Sequence, residues 1–226
     1  MTMQRSGAYA TTAGVPVRGA RRARRAPIRA LPVPGVVRDL RDRAGRGPRE
    51  LTFAEGDLVV VSGLPGSGKS TLIRRAVPDR AVDSQDARER WERRLPRGLR
   101  FLPYALYRPL VRAAHYGGLW RDLRRGRGLV VHDCGTQAWV RRWLAREARR
   151  RGRALHLLLL DVDPGTAREG QRERGRGVSV YAFARHRGAV GRLVRDAERG
   201  EPPAGCASAV LLDRAAASGL ARIAFR

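Results

Sequence analysis

The chain has 226 residues, 42% of them hydrophobic, and carries 47 Lys plus Arg against 21 Asp plus Glu, a formal net charge of +26. That length suits one ordinary domain with a proper core, or a domain with a tail. Two cysteines, Cys134 and Cys206, exclude a disulfide framework, and no apolar run approaches the ~18 residues of a membrane span. Both thiols are expected to be reduced in a cytoplasmic protein, and the basic N-terminus lacks the apolar segment of a secretory signal. The charge suits a polyanionic partner. It also suits a coding bias that enriches Arg together with Ala, Gly and Pro. Its scatter along the chain favours the bias.

Residues 1–35 are rich in Arg, Ala, Pro, Gly and Thr without apolar periodicity, and are expected to form a disordered basic arm. Residues 1–50 hold twelve Arg against Asp39, Asp42 and Glu50. Val36 to Ala44 is predicted as a short helix carrying Val36, Val37 and Leu40, with a turn after it. Asp57 to Ser62 is apolar and β-branched, a buried strand. A glycine loop follows, then a helix from Lys69 to Ala76, stopped before Pro78.

A second strand is predicted over Arg80 to Asp83, a helix over Ala87 to Arg94, and a longer helical pattern over Pro103 to Arg125. Leu129 to His132 is a third strand. Ala138 to Arg151 is amphipathic and stops at Gly152. Leu155 to Leu160, interrupted by His156, is a fourth strand, and Pro164 opens the next helix. Ala189 to Ala197 is predicted helical, Ala209 to Leu212 a fifth strand, and Ala215 to Leu220 a last helical turn or two. Strands alternating with helices imply βαβ units and right-handed crossovers. The fold expected is a three-layer α/β/α domain over residues 36–226, with a five-stranded, mostly parallel sheet.

The loop reads Gly63-Leu64-Pro65-Gly66-Ser67-Gly68-Lys69-Ser70 and is followed by Thr71. It matches G-x-x-x-x-G-K-[ST] in full, with an apolar strand before it and an amphipathic helix after it. Such a loop curls so that successive N–H groups line one concavity, and the helix N-terminus behind adds partial positive charge. Lys69 would reach the β- and γ-phosphates of ATP, and the Ser70 hydroxyl would ligate Mg²⁺. Lys69 is also the only lysine; the other 46 basic residues are arginine. A compact ammonium fits among phosphate oxygens where a planar guanidinium is too wide.

One lysine leaves no N-K-x-D motif for guanine, and no LSGGQ signature is present. Asp133 precedes Cys134 and Asp161 precedes Val162, so no glutamate stands ready to polarise water after either strand. This favours transfer to a substrate hydroxyl over hydrolysis.

"GLPGSGKSTL", "SQDARER", "VVHDCGT" and "GQRERGR" together resemble the small P-loop kinases, in particular the kinase domain of polynucleotide kinase and its zeta-toxin-like relatives. The resemblance covers about residues 57–213. It implies that Asp86, or the upstream Asp83, takes the proton from the acceptor hydroxyl; Gln85 stands where the family has an acid. It implies that Asp133 helps hold Mg²⁺, with Asp161 anchoring a turn. It implies a lid over about residues 168–188, in which Arg172 and Arg176 satisfy R-x-x-x-R spacing beside Arg168 and Arg174. Gly175 and Gly177 would hinge it. Acceptor-binding helices are expected over about residues 87–127. There Tyr104, Tyr107, Tyr116 and Trp120 interleave with arginines, which suits a nucleotide or nucleic-acid acceptor. Helices whose aromatics simply cover the sheet are the favoured alternative.

The activity expected is transfer of the ATP γ-phosphoryl group to a hydroxyl of an unidentified small-molecule, nucleotide or polynucleotide acceptor. A nucleotide-dependent switch that transfers nothing, a nucleic-acid-binding ATPase and a slow, partner-stimulated ATPase are the rivals.

Overall fold

The computed structural model describes residues 29–30, 36–43, 46–78, 80–83, 116–132, 138–173, 175 and 177–226. Its elements are β1 (Arg29–Ala30), β2 (Val37–Asp39), β3 (Glu50–Phe53), β4 (Leu58–Gly63), α1 (Lys69–Ala76), β5 (Ala81–Asp83), α2 (116–124), β6 (Leu129–His132), α3 (Ala138–Arg150), β7 (Leu155–Leu160), α4 (Pro164–Arg172), α5 (Val180–Glu198), β8 (Ser208–Leu212), α6 (Arg214–Gly219) and β9 (Arg222–Phe225). The predicted helix over Ala87 to Arg94 lies outside the described residues. No described helix is long and apolar enough to cross a membrane.

The main sheet has the order β2-β8-β7-β4-β6-β5, and every pairing in it is parallel. All five expected strands are present. β4 lies inside, between β7 and β6, so all six of its residues are buried. Its side chains alternate between two cores, as a strand covered on both sides must. Leu58 and Val60 join Leu119, Leu123, Leu144 and Phe183 on the α2, α3 and α5 face. Val59 and Val61 join Leu72, Ile73 and Ala217 on the α1 and α6 face. β7 alternates likewise, Leu157 and Leu159 against Leu158 and Leu160.

Two features of the sheets depart from expectation, and α5 starts at Val180 instead of the expected Ala189. Val36 to Ala44 is not a helix: residues 37–39 form β2, a sixth strand at the sheet edge beside β8. The β-branched Val36 and Val37 can serve either structure, and pairing along β8 decides. The Leu40 amide then donates to the Leu211 carbonyl at 3.0 Å, and Leu40 is 1% exposed. The second feature is a small parallel sheet, β1-β3-β9. Its Leu51, Phe53 and Ile223 pack into the α1 and α6 core. β1 falls within the segment expected to be an arm.

The edge of the main sheet away from the glycine loop holds a buried polar network. His156 interrupts the apolar β7 because its ring joins two neighbours. Nε2 lies 3.0 Å from Asp57 Oδ2 and Nδ1 lies 2.8 Å from Ser208 Oγ. The Asp57 carboxylate also accepts from the amides of Ala154 at 2.9 Å and Ala54 at 3.2 Å. That set fits a neutral imidazole that donates through Nε2 to Asp57 and accepts at Nδ1 from the Ser208 hydroxyl. His156 is 3% exposed, and burial holds its pKa below the ordinary histidine value, against the opposing pull of Asp57.

A depressed folded pKa means that the unfolded chain takes up the proton first as pH falls. Stability from this group is therefore complete above the ordinary value of about 6.5 and declines below it. The wild-type Tm should fall on acidification through that window, and His156→Gln should flatten this part of the profile. An unchanged slope in the variant would refute the assignment.

Candidate active site

β4 runs the glycine loop out at the edge of the sheet where all the strands end, and α1 carries the chain back. Two of the loop's glycines take left-handed backbone, which strains any other residue. Gly66 has φ +86, and a Cβ there would meet the Ala167 carbonyl oxygen of α4 at 2.0 Å. Gly68 has φ +97 and is the N-cap of α1, with no side-chain hydrogen bond to the first turn and no acid within it. The helix N-terminus is thus left to attract an anion.

Lys69 is 6% exposed. Its Nζ donates to the carbonyls of Gly63 at 3.0 Å and Leu64 at 2.7 Å, so the ammonium is folded over the loop's own rim. Ser70 is buried beside it. Ser67 Oγ is buried with no hydrogen-bond partner among the described residues. A buried hydroxyl without a partner is costly in an apolar setting, and a phosphate oxygen would satisfy it.

α4 braces the loop from the side. Its N-cap Asp163 accepts from the amides of Gly165 and Thr166, and Pro164 fixes the first turn. Gln171, 8% exposed, donates from Nε2 to the Pro65 carbonyl at 3.0 Å and accepts at Oε1 from the Val178 amide at 3.0 Å. One side chain therefore ties the loop, α4 and the approach to α5 together. Gly170 allows the close fit, since a Cβ there would meet the Gly66 carbonyl oxygen at 2.6 Å. The sequence reading missed Gln171; a lone glutamine among arginines gave no signal.

A cavity of about 160 Å³ opens beside the loop, lined by Gly68, Thr71, Arg75, Gly170, Glu173 and Arg214, among others. Arg75 reaches across its floor to donate to the carbonyls of Ala217 and Leu220. On the other side of the loop, His186 of α5 has a buried Nδ1 with no hydrogen-bond partner among the described residues. Burial, with the positive charges of Arg185 and Lys69, holds its pKa below the ordinary histidine value.

The acidic residues expected to act fall in different places. Asp83 ends β5, in register with His132 of β6, and His132 pairs in turn with Val61 of β4. The backbone of Asp83 is thus at the same sheet edge as the glycine loop. Asp86 and Asp133 lie outside the described residues. Asp161 is in an ion pair: Arg41 NH1 reaches its Oδ2 at 2.6 Å and Glu198 Oε1 at 3.0 Å. The same guanidinium holds Asp39, keeping that carboxyl below the usual carboxylate range. Asp161 therefore fastens the end of β7 to the segment after β2.

Of the lid arginines, Arg172 ends α4 and is exposed, Arg168 lies over the Phe183 ring at 4.9 Å, and Arg174 and Arg176 lie outside the described residues. Gly175 has φ +59.

A family model described as an AAA domain matches residues 58–191. The chain belongs to the AAA domain family. The match starts at β4, runs through the P-loop and ends within α5. Solved structures similar to this AAA domain include a Chloroflexus aurantiacus protein assigned as a kinase, with 17% identity over 70% of this chain and 85% of that one, at a TM-score of 0.48. A gluconokinase from Sinorhizobium meliloti 1021 shares 18% identity over 74% of this chain and 92% of that one, at 0.41. The tunicamycin resistance protein of Deinococcus radiodurans shares 18% over 64% and 79%, at 0.37. No curated protein matches the chain.

Proposed function

We propose that this AAA domain is an ATP-dependent phosphotransferase that moves the γ-phosphoryl group to a hydroxyl of a bound acceptor. The observation that carries the proposal is the loop itself. Gly66 and Gly68 take left-handed backbone, Ser67 Oγ lacks a partner, and the chain's one ammonium lies over the rim. That donor set fits a triphosphate, and Lys69 would exchange its two carbonyls for phosphate oxygens.

The loop amides and Ser67 would hold the β-phosphate, and Lys69 would offset charge on the transferring group. The nucleoside would enter the cavity lined by Gly68, Thr71 and Arg214. Ser70 and Asp133 would hold Mg²⁺, which when bound neutralises β- and γ-oxygens. Asp86 or Asp83 would accept the hydroxyl proton, and the backbone position of Asp83 at the sheet edge supports such a role. Arg172 and Arg176 would close over the transferring group.

Incubation of the full chain with γ-labelled ATP, magnesium and a pool of hydroxyl acceptors tests this. Label should move to one acceptor class, and Asp86→Asn or Asp83→Asn should slow transfer by about 100-fold or more while leaving ATP affinity near wild type. ATP binding with no transfer to any acceptor would overturn it.

A further inference from the structure

α5 turns one stripe to the core. Phe183, Val190, Leu193, Val194 and Ala197 are buried along it, at the spacing of a single helix face. His186 stands on the same stripe, three residues after Phe183 and four before Val190. Its neighbours Arg185 and Arg187 are exposed, whereas His186 is half-buried and its Nδ1 is fully enclosed. A polar ring thus interrupts an otherwise apolar stripe.

The interruption comes where α5 passes the P-loop. Phe183 and Val190 share a core cluster with Leu64 of the loop and Ala167 of α4. A cavity of about 250 Å³ lies between Leu64, Pro164, Arg187 and Val190. Its Leu64 and Val190 belong to the α5 side of the sheet, whereas the cavity beside Gly68 is walled by Leu72, Leu160 and Ala217 of the α1 and α6 side. The P-loop stands between the two. Leu64 also supplies a carbonyl to which Lys69 Nζ donates. Burial first, then the charges of Arg185 and Lys69, keeps the His186 ring neutral.

A buried ring nitrogen without a hydrogen bond is costly. His186 Nδ1 has no partner among the described residues, and α5 carries no acid before Asp196 that could supply one. Ser62 Oγ, next to last in β4, and Ser67 Oγ, within the loop, are likewise buried and unpartnered among the described residues. Three polar side chains around one loop therefore need the same kind of ligand. A phosphate oxygen satisfies a neutral N–H, and a neutral donor does not repel Lys69 as a guanidinium at that position would.

We propose that His186 is a ligand of the γ-phosphate, its Nδ1–H donating to an oxygen of the phosphoryl group that Lys69 holds. The inference rests on the triphosphate reading of the P-loop, and not on transfer to an acceptor.

The test is calorimetric titration of the full chain and its variants with ATP and with ADP, each with magnesium, and with Tm recorded alongside. His186→Ala should weaken ATP by about 10-fold, as expected for one hydrogen bond to a charged oxygen, and ADP by less than about 2-fold. His186→Phe keeps a ring between Phe183 and Val190 but has no donor, and should lose as much. His186→Asn, whose amide nitrogen takes the place of Nδ1, should bring ATP back to within about 3-fold of wild type.

A histidine that only packs would weaken both nucleotides alike, or lower Tm and neither affinity. Either result overturns the inference, as does ATP affinity kept at the wild-type value by His186→Phe. The failures are separable. A wild-type chain that binds neither nucleotide removes the P-loop reading itself, and nucleotide binding indifferent to His186 removes only this ligand. A loss confined to ATP, in a chain that transfers no phosphate, keeps the ligand and removes the phosphotransferase.

Discussion

Lys69→Ala is expected to lower γ-phosphoryl transfer about 100- to 1,000-fold, because it would delete the cation that, on the proposed reading, offsets charge on the transferring group. The fold should survive the change. Lys69 contacts carbonyls at the loop rim, and an alanine would leave these to water. Lys69→Arg should not restore activity. Lys69 is 6% exposed, so the site has little room for a longer side chain that ends in a wide, planar guanidinium. In a chain whose every other basic residue is arginine, an active Lys69→Arg variant would contradict the reason given for the lysine. Steady-state transfer assays on both variants, with Tm recorded alongside, decide the point.

Gly66→Ala should cost more stability than any other single methyl added to the loop. The new Cβ would meet the Ala167 carbonyl oxygen at 2.0 Å, and φ +86 is strained for alanine even in open space. The two effects together are expected to destabilise by about 3 kcal/mol, a fall in Tm of about 6–12 °C for a domain of this size. Gly152→Ala is the control. It also has positive φ, at +64, but nothing lies within 4 Å of the added carbon, so only the backbone strain of about 1 kcal/mol applies. Similar losses in the two variants would mean that α4 does not press on the P-loop.

The P-loop was legible in the sequence because its chemistry is local: eight consecutive residues specify the turn, the cation and the helix start. The five expected strands were legible because buried parallel strands read as continuous apolar runs. β2 was misread because Val36, Val37 and Leu40 satisfy either period, and its partner β8 lies far along the chain. β3 and β9 are four residues each and carry Glu50, Thr52 and Arg222, so neither stands out.

The start of α5 was missed for a different reason. Val180 is 79% exposed and Tyr181 78%, so its first turn is apolar in composition but not in placement. The contacts that make the site rigid were the least legible. Gln171 and Pro65 are 106 residues apart, and Arg41 and Asp161 are 120 apart. No local pattern encodes such pairs. They exist because the parallel crossovers bring every strand end to one edge.

The central claim is that the loop from Gly63 to Ser70 wraps a triphosphate whose far phosphates are held by Lys69. Calorimetric titration of the full chain with ATP and magnesium, beside the same titration with AMP, tests it most directly. The account predicts one-site binding of ATP, with AMP at least about 100-fold weaker because it lacks the β- and γ-phosphates that Lys69 holds. Absence of ATP binding, or equal affinity for ATP and AMP, would contradict it.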